Sequence, residues 1–220
     1  MDTSLHDLFG PVYVINLDER QDRWAECQEE LRQLGTDPGQ LQRFSAYRSA
    51  VHGSVGCALS HANVLMRFLT ETQAPHCLVL EDDFRFVRSL AEVASDARAF
   101  MAARSAWDAL LLSGNAVLSV VTDNPAFHKV ITSQTTSAYV VTRAAALKLI
   151  PKFLLGAERL RELLPALAPQ HWPLMFHNYA ADMIWKDLQR EGGWYILSKR
   201  TVIQRPSFSD IENKHVEYGA

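Results

Sequence analysis

Short apolar runs alternate with amphipathic segments through the first half of the chain. Residues 11–17 (PVYVINL) and 76–80 (HCLVL) are runs of β-branched, aliphatic and aromatic residues, a composition typical of buried strands. Residues 18–34 and 54–70 instead carry apolar residues at helical intervals, and Gly35 follows the first of these segments as a helix C-cap does. This order of strand and helix predicts an α/β fold with a mostly parallel sheet and helices on both faces.

The rest of the chain follows the same pattern less regularly. We predict strands at 43–46, 109–112, 136–142, 194–197 and 201–204, and helices at 90–104, 143–153, 158–167 and 180–191. No internal repeat or low-complexity linker divides the sequence, so we predict one domain over residues 1–220. The polar tail over 205–220 is predicted to be a mobile loop.

Composition limits the class of protein. With 220 residues, 48% of them apolar, the chain is long enough for one well-packed α/β domain. The formal net charge of −3 disfavours a general polyanion binder without excluding a nucleic-acid acceptor. The N-terminus lacks a signal-peptide pattern, and no apolar run approaches the roughly 20 residues of a membrane span. We therefore expect a cytoplasmic protein without an integral membrane segment.

The cysteines are three in number and widely spaced. Cys27, Cys57 and Cys77 form no CxxC pair, which argues against a disulfide framework and against a structural zinc site. We expect buried, reduced thiols and no disulfide partner.

Three adjacent carboxylates, Glu81, Asp82 and Asp83, directly follow the predicted strand at 76–80. Ligands bind at the carboxyl ends of strands in open α/β sheets, and adjacent carboxylates repel one another unless a cation lies among them. Along a strand, Glu81 and Asp83 point to one side and Asp82 to the other. Glu81 and Asp83 are therefore candidates to share Mn²⁺ or Mg²⁺, with Asp82 facing a ribose or hydroxyl. The alternative is a solvated acidic turn.

Two further motifs carry candidate polar groups. Asn16, Arg20 and Arg23 follow the first strand, where they could meet a base, a ribose or a phosphate. Alternatively, the arginines form a solvated helix face, which the absence of GxGxxG and P-loop patterns favours. Ser60 and His61 lie near the start of an apolar helix. His61 is a candidate diphosphate ligand, general base or metal ligand, or a histidine packed against the core.

Four blocks place these motifs in a fixed order along the chain. They are VINLDERQDRW (14–24), GCALSH (56–61), LVLEDDFRF (78–86) and TTSAYVVTRAAALKLI (135–150). In this order and spacing the chain resembles glycosyltransferase family 25, which includes bacterial lipooligosaccharide galactosyltransferases and procollagen galactosyltransferases. The blocks span nearly the whole sequence. The resemblance implies a GT-A type fold, a nucleotide-sugar donor such as a UDP-sugar, manganese, and inversion at the anomeric carbon.

The same resemblance assigns roles to individual residues. It makes Glu81 and Asp83 the expected metal ligands and His61 an expected catalytic residue. The expected donor-binding residues are Asn16, Arg20, Arg23, Ser60, Asp82 and Gln204.

An inverting transfer needs a base near the acceptor hydroxyl, and a carboxylate is the usual group. Asp182, at the start of a predicted helix, and Asp210, in the polar tail, are the candidates, and we favour Asp182. Each has an ordinary alternative, because helix N-termini and turns both favour aspartate.

The expected reaction moves a hexose, galactose or glucose, to a hydroxyl of a glycan, a protein or another acceptor. Two other functions would use the same residues. A metal-dependent nucleotidyltransferase or phosphohydrolase would direct the carboxylates at a phosphate substrate. A non-catalytic glycosyltransferase-like binding module is the second, although the intact pair of Glu81 and Asp83 argues against it.

Overall fold

The computed structural model describes residues 4–209 and 214–216 of the chain. Its helices are α1 (Leu5–Phe9), α2 (Gln21–Gln33), α3 (Gly53–Glu71), α4 (Leu90–Ala103), α5 (Arg143–Ala166), α6 (Trp172–Tyr179), α7 (Ala181–Ile184) and α8 (Lys186–Glu191). Its strands are β1 (Val12–Asn16), β2 (Leu41–Ser45), β3 (His76–Glu81), β4 (Phe84–Phe86), β5 (Ala109–Leu111), β6 (Asn115–Val121), β7 (Phe127–Gln134), β8 (Ala138–Thr142), β9 (Trp194–Leu197), β10 (Val202–Gln204), β11 (Ser207–Ser209) and β12 (Lys214–Val216). None of the described helices has the length and apolarity needed to cross a membrane.

Eight strands form one sheet in the order β2-β1-β3-β8-β5-β9-β7-β6. β8 and β7 run antiparallel to their neighbours, and the other six strands share one direction. The predicted α/β fold with a mostly parallel sheet is therefore confirmed. Every residue of β1 is buried, as expected for a strand covered on both faces.

Side chains of β1 alternate between two apolar cores, one on each face of the sheet. Tyr13 and Ile15 belong to the core shared with α3 and α5, whereas Val12 and Val14 belong to the core shared with α1, α2 and α4. This is the period-two alternation of a strand, and each face needs its own helices to exclude water. Helices cover both faces, as the sequence predicts.

Residues 143–166 form one helix, so the prediction of two helices here is wrong. The buried face of α5 continues through the predicted break at Phe153, Gly156 and Ala157. A Cβ at Gly156 would come within 2.5 Å of the carbonyl oxygen of Tyr179. Glycine at this position therefore permits close packing against the end of α6 and does not end the helix.

The strands β6 and β7 do not follow from the sequence pattern. β6 leaves Leu118 and Val121 exposed, and two register shifts interrupt its pairing with β7. β7 buries every third residue, Phe127, Val130 and Ser133, so the alternation typical of a half-buried strand is missing.

The tail over 205–220 is not simply a loop, which corrects the prediction for its described part. β11 and β12 pair antiparallel. The first residue of the tail contacts the turn after β3, where the backbone N–H of Arg205 donates to the carbonyl oxygen of Asp83 at 2.7 Å. Asp210, the second candidate base, lies outside the described residues.

Gly56 supports a tight crossing between α3 and the segment after β2. A Cβ at Gly56 would overlap the carbonyl oxygen of Tyr47. The Ser60 hydroxyl donates to the Gly56 carbonyl oxygen at 2.7 Å and accepts from the Tyr47 N–H at 2.8 Å, which fixes the crossing.

We expect Gly56→Ala to lower the free energy of unfolding by about 1–3 kcal/mol, measured by chemical denaturation. Thr70→Ala, at an exposed position of the same helix, should change it by less than about 0.5 kcal/mol. Equal effects in the two variants would contradict this account of Gly56.

Candidate active site

The carboxyl ends of β1 and β3 bring predicted polar residues to one edge of the sheet. β1 ends at Asn16 and β3 ends at Glu81, and the two strands are parallel neighbours. Asp82 and Asp83 form the turn into β4, which pairs with β10 and so brings in Gln204. Three distant segments of the chain therefore meet at the edge where α/β sheets bind ligands.

Asp82 anchors the polar groups at the end of β1. Asn16 Nδ2 donates to Asp82 Oδ2 at 2.7 Å, and Arg23 Nη1 donates to Asp82 Oδ1 at 2.6 Å. Arg43 Nε donates in turn to Asn16 Oδ1 at 2.7 Å. Burial raises the pKa of Asp82, and Arg23 and Asn16 offset part of that shift. Each carboxylate oxygen accepts one of these hydrogen bonds, so Asp82 positions Asn16 and Arg23, and its contact with a ribose or hydroxyl stays a prediction.

Glu81 is held by the elements on either side of β3. His61 Nε2 lies 3.1 Å from Glu81 Oε1, and the Thr136 hydroxyl donates to the same oxygen at 2.5 Å. The other ring nitrogen of His61 lies 2.9 Å from the Tyr139 hydroxyl. Burial acts to raise the pKa of Glu81, but the hydrogen bond and charge of His61, with Thr136, outweigh it and lower that pKa. Glu81 is therefore ionised at neutral pH.

Asp83 is the least compensated carboxylate of the three. Its Oδ2 accepts a long hydrogen bond of 3.4 Å from Gln204 Nε2, while Oδ1 is buried and has no hydrogen-bond partner among the described residues. Burial, followed by the charges of Glu81 and Asp82, raises the pKa of Asp83 to about 7. A buried polar atom without a partner in the protein is commonly satisfied by a bound ligand or water.

The donor set at this edge fits a divalent cation. Glu81 and Asp83 lie close enough for the charge of Glu81 to raise the pKa of Asp83. Carboxylate oxygens are the ligands that Mn²⁺ and Mg²⁺ favour, and such ions keep further positions for phosphate oxygens or water. A cation here would add to the positive charge of Arg23 and Arg205, which offsets only part of the raised pKa of Asp83.

A cavity of about 260 Å³ opens beside Glu81 and is lined in part by Thr135, Asp182 and Gln204. Asp182 lies in the first turn of α7, and its Oδ2 accepts from the backbone N–H of Thr135 at 3.2 Å. The Thr135 hydroxyl donates to Gln204 Oε1 at 3.0 Å. Burial raises the pKa of Asp182, and the charge of Glu81 acts in the same direction. Thr135 thus holds two polar side chains of the cavity wall, Asp182 and Gln204.

Thr135 has a strained backbone. Its φ of +70° lies in the left-handed region, which a β-branched residue rarely adopts. Such strain costs of order 1–3 kcal/mol and persists where the surrounding structure enforces it, most often at functional sites. Here the strained residue is the one that orients Asp182 and Gln204, which marks the cavity as the candidate active site.

Two predicted site residues lie behind the cavity. His61 has no exposed surface and contacts Glu81, so it positions that carboxylate from behind, and its predicted catalytic role stays a prediction. Ser60 is 1% exposed, and its hydroxyl bonds the backbone of Gly56 and Tyr47. Ser60 therefore holds α3 in place, and its contact with a donor stays a prediction.

A second, larger cavity of about 660 Å³ lies beside α2 and reaches Arg23, the ion-pair partner of Asp82. Its wall includes the guanidinium groups of Arg20, Arg23 and Arg205 together with several acidic residues of α2. Arg20 pairs with Asp22 at 2.9 Å, and Arg205 Nη2 donates to the Asp82 carbonyl oxygen at 2.8 Å. The predicted arginines therefore reach the same edge of the sheet as the carboxylates.

Several site residues do not follow from the sequence motifs. Thr136 and Tyr139 reach Glu81 and His61 because β8 pairs antiparallel with β3, a pairing between distant segments. Cys57 also lines the cavity. Cys57 did have a sequence signal, since residues four apart on a helix share one face and it precedes His61 by four.

Comparisons with known proteins give similarity of fold only. No protein-family model matches the chain, and no curated protein matches it. The protein A197 from STIV is 10% identical with a TM-score of 0.48, covering 93% of this chain and 91% of that chain. Mannose-1-phosphate geranyltransferase from Thermus thermophilus is 10% identical with a TM-score of 0.47, covering 87% and 74%. A glycosyltransferase involved in the glycosylation of the major capsid of PBCV-1 is 5% identical with a TM-score of 0.42, covering 84% and 91%. At these values the similarities carry no functional argument, and function is inferred from the site.

Cys27, Cys57 and Cys77 are all free in the structure, and none of them is bonded to another.

The raised pKa of Asp83 makes the stability of the metal-free protein depend on pH. Unfolding returns this carboxyl to its ordinary pKa, so between the two pKa values the folded state binds more protons than the unfolded state. Its contribution therefore lowers the free energy of unfolding as pH rises towards 7. We expect Asp83→Asn to stabilise the chelator-treated protein by about 1–3 kcal/mol at pH 8 and to have much less effect at pH 4. Urea denaturation at both pH values measures this. Glu158→Gln, at an exposed position, is the control. A lower stability of Asp83→Asn at pH 8 would contradict the prediction, because it would show that the ionised Asp83 carboxylate is stabilised by its surroundings.

Proposed function

We propose that the chain is a metal-assisted glycosyltransferase that moves a hexose from a nucleotide-sugar donor, such as a UDP-sugar, to a hydroxyl acceptor with inversion. A GT-A type fold and membership of glycosyltransferase family 25 are part of the proposal, supported by the four sequence blocks. The observation that carries it is the undercompensated Asp83 beside the ionised Glu81, at the edge of the sheet where three of the blocks meet.

Glu81 and Asp83 are the residues that would hold Mn²⁺ or Mg²⁺. When bound, the ion supplies positive charge for the diphosphate leaving group, whose negative charge grows as the glycosidic bond breaks. His61 and Thr136 keep Glu81 ionised and oriented. Gln204 contacts both Asp83 and Thr135, so it links the metal ligands to the wall of the cavity.

The donor lies on the Asp82 side of the site in this proposal. Asp82 fixes both Asn16 and Arg23 by hydrogen bonds. Arg23 and Arg20 lie in the wall of the cavity of about 660 Å³. Guanidinium groups offer paired N–H donors that match phosphate oxygens. A residue fixed in advance loses less conformational entropy when it binds a ligand, which favours Arg23 as a donor contact. Asn16 is 1% exposed and hydrogen-bonded at both ends of its side chain, so it supports Asp82 from behind.

The acceptor lies on the Asp182 side, in the smaller cavity. Asp182 takes the proton from the acceptor hydroxyl as that oxygen attacks the anomeric carbon. Burial raises the pKa of Asp182, which makes the ionised carboxylate a stronger base than an exposed aspartate. The N–H of Thr135 fixes its orientation towards the cavity.

A donor panel tests the reaction class. We expect the melting temperature to rise with a nucleotide sugar only when Mn²⁺ is present, because the ion is proposed to hold the diphosphate of the donor. A ligand at 100 times its Kd stabilises a protein by about 2.7 kcal/mol, which is large enough to measure. Asp83→Asn should lose the metal-dependent part of the shift. A phosphohydrolase would instead cleave the diphosphate with water, so it would release a sugar 1-phosphate and a nucleoside monophosphate without an acceptor. No shift with any donor, with or without metal, would count against the proposal.

Asp182→Asn tests the base. We expect kcat to fall by a factor of about 10²–10⁴, with the donor-dependent thermal shift retained, because the base acts on the acceptor. Glu191→Gln, an exposed acid a few residues further along, should keep full activity. If Asp182→Asn also keeps full activity, another group is the base, and the undescribed Asp210 becomes the next variant to make.

A further inference from the structure

Cys57, His61 and Glu81 form a cluster of three different ligand types beside the small cavity. One sulfur, one imidazole nitrogen and one carboxylate oxygen lie within 4.8 Å of one another. Cys57 and His61 are one helical turn apart on α3, and Glu81 ends β3. Around a tetrahedral zinc, ligand atoms lie roughly 3.3–3.6 Å apart, given zinc–ligand distances of about 2.0–2.3 Å. Small side-chain movements would bring this cluster to that geometry.

We propose that Cys57, His61 and Glu81 form a zinc site with its fourth position open to the cavity. Three protein ligands with one open position is the arrangement of reactive or exchangeable zinc sites, whereas structural sites are closed by four. Cys57 and Glu81 both line the cavity, so the open position faces the space that contains Asp182. The absence of a CxxC pair argues against a structural zinc site and does not bear on a site of this kind.

The groups around the cluster suit a ligand role for His61. A metal-binding histidine commonly gives its second ring nitrogen to another polar group, which fixes the ring. His61 Nδ1 lies 2.9 Å from the Tyr139 hydroxyl, and both side chains are buried. The Thr136 hydroxyl holds Glu81 at 2.5 Å and also hydrogen-bonds the Cys57 thiol. Each of the three ligands is therefore already oriented by a neighbour on β8 or just before it.

The other two cysteines lack such surroundings. Cys27 and Cys77 are completely buried, and the Cys27 thiol donates a hydrogen bond to the carbonyl oxygen of Asp82. Within residues 4–209 and 214–216, Cys57, His61 and Glu81 are the single group of three histidine, cysteine or acidic side chains whose ligand atoms all lie within 4.8 Å of one another. Thiolate and imidazole favour zinc over manganese or magnesium, which favour oxygen ligands. The cluster and the oxygen pair of Glu81 and Asp83 thus differ in the ion they select and share one carboxylate.

Cobalt provides a direct readout, because Co²⁺ replaces Zn²⁺ and a thiolate ligand gives it a charge-transfer band in the near ultraviolet. The full chain, freed of metal by chelator and gel filtration, is titrated with Co²⁺. We expect one equivalent to produce the band and one equivalent of Zn²⁺ to abolish it. Cys57→Ser should lose the band, while the matched variant Cys77→Ala, which removes a buried thiol elsewhere, should keep it. No band in the unmodified chain, or a band that persists in Cys57→Ser, would overturn the site.

A second measurement needs no variant. Iodoacetamide labelling followed by peptide mass spectrometry reports the reactivity of each cysteine in the unmodified chain. Zn²⁺ should slow labelling of Cys57 at least tenfold, whereas Mg²⁺ should not, and equal labelling rates with the two ions would contradict the proposal. Both readouts are independent of sugar transfer. A cobalt band without transferase activity therefore supports the zinc site alone, and activity without a band supports the proposed function alone.

Discussion

Charge compensation at one edge of the sheet is the constraint on which the site depends. Glu81, Asp82, Asp83 and Asp182 lie together there, and each is taken partly or wholly from water. Asp82 is compensated by an arginine and an asparagine, Glu81 by a histidine, and Asp182 by a backbone N–H. Asp83 receives a long hydrogen bond from an amide, and the charges of Arg23 and Arg205 offset only part of its raised pKa. A buried carboxylate is costly unless paired, and this incomplete compensation is the basis for proposing a cation at this edge.

The antiparallel strand β8 makes this arrangement possible. It lies between β3 and β5, so the residues at its start come beside the end of β3. Thr136 therefore meets Glu81, and the preceding Thr135 turns through a left-handed conformation to reach Asp182 and Gln204. The strain at Thr135 is held by these hydrogen bonds and by the strand that follows. One short segment thereby connects the metal ligands to the candidate base.

The sequence predicts the parts of this site that depend on local pattern. The apolar run before Glu81 predicts β3, and the polar residues after 11–17 predict the end of β1, because burial on both faces leaves a clear signal. The contacts of Asp82 with Asn16 and Arg23, and the burial of His61, depend on which strands become neighbours. That information is not local, and the resemblance that made His61 an expected catalytic residue did not indicate that its side chain is buried behind Glu81. β7, which buries every third residue, also leaves no periodic signal.

The two proposals place Glu81 in two different ion-binding arrangements, which differ in the position of the proton on His61. With a proton on Nε2, His61 donates to Glu81 and leaves the carboxylate free to join Asp83 around a hard cation. With the proton on Nδ1, donated to the Tyr139 oxygen, the Nε2 lone pair faces Cys57 and Glu81, as a soft cation requires. The two tautomers differ by a proton shift within one buried ring. Zinc binding to Nε2 would therefore remove the hydrogen bond by which His61 orients Glu81, and so would weaken the proposed hard-cation site.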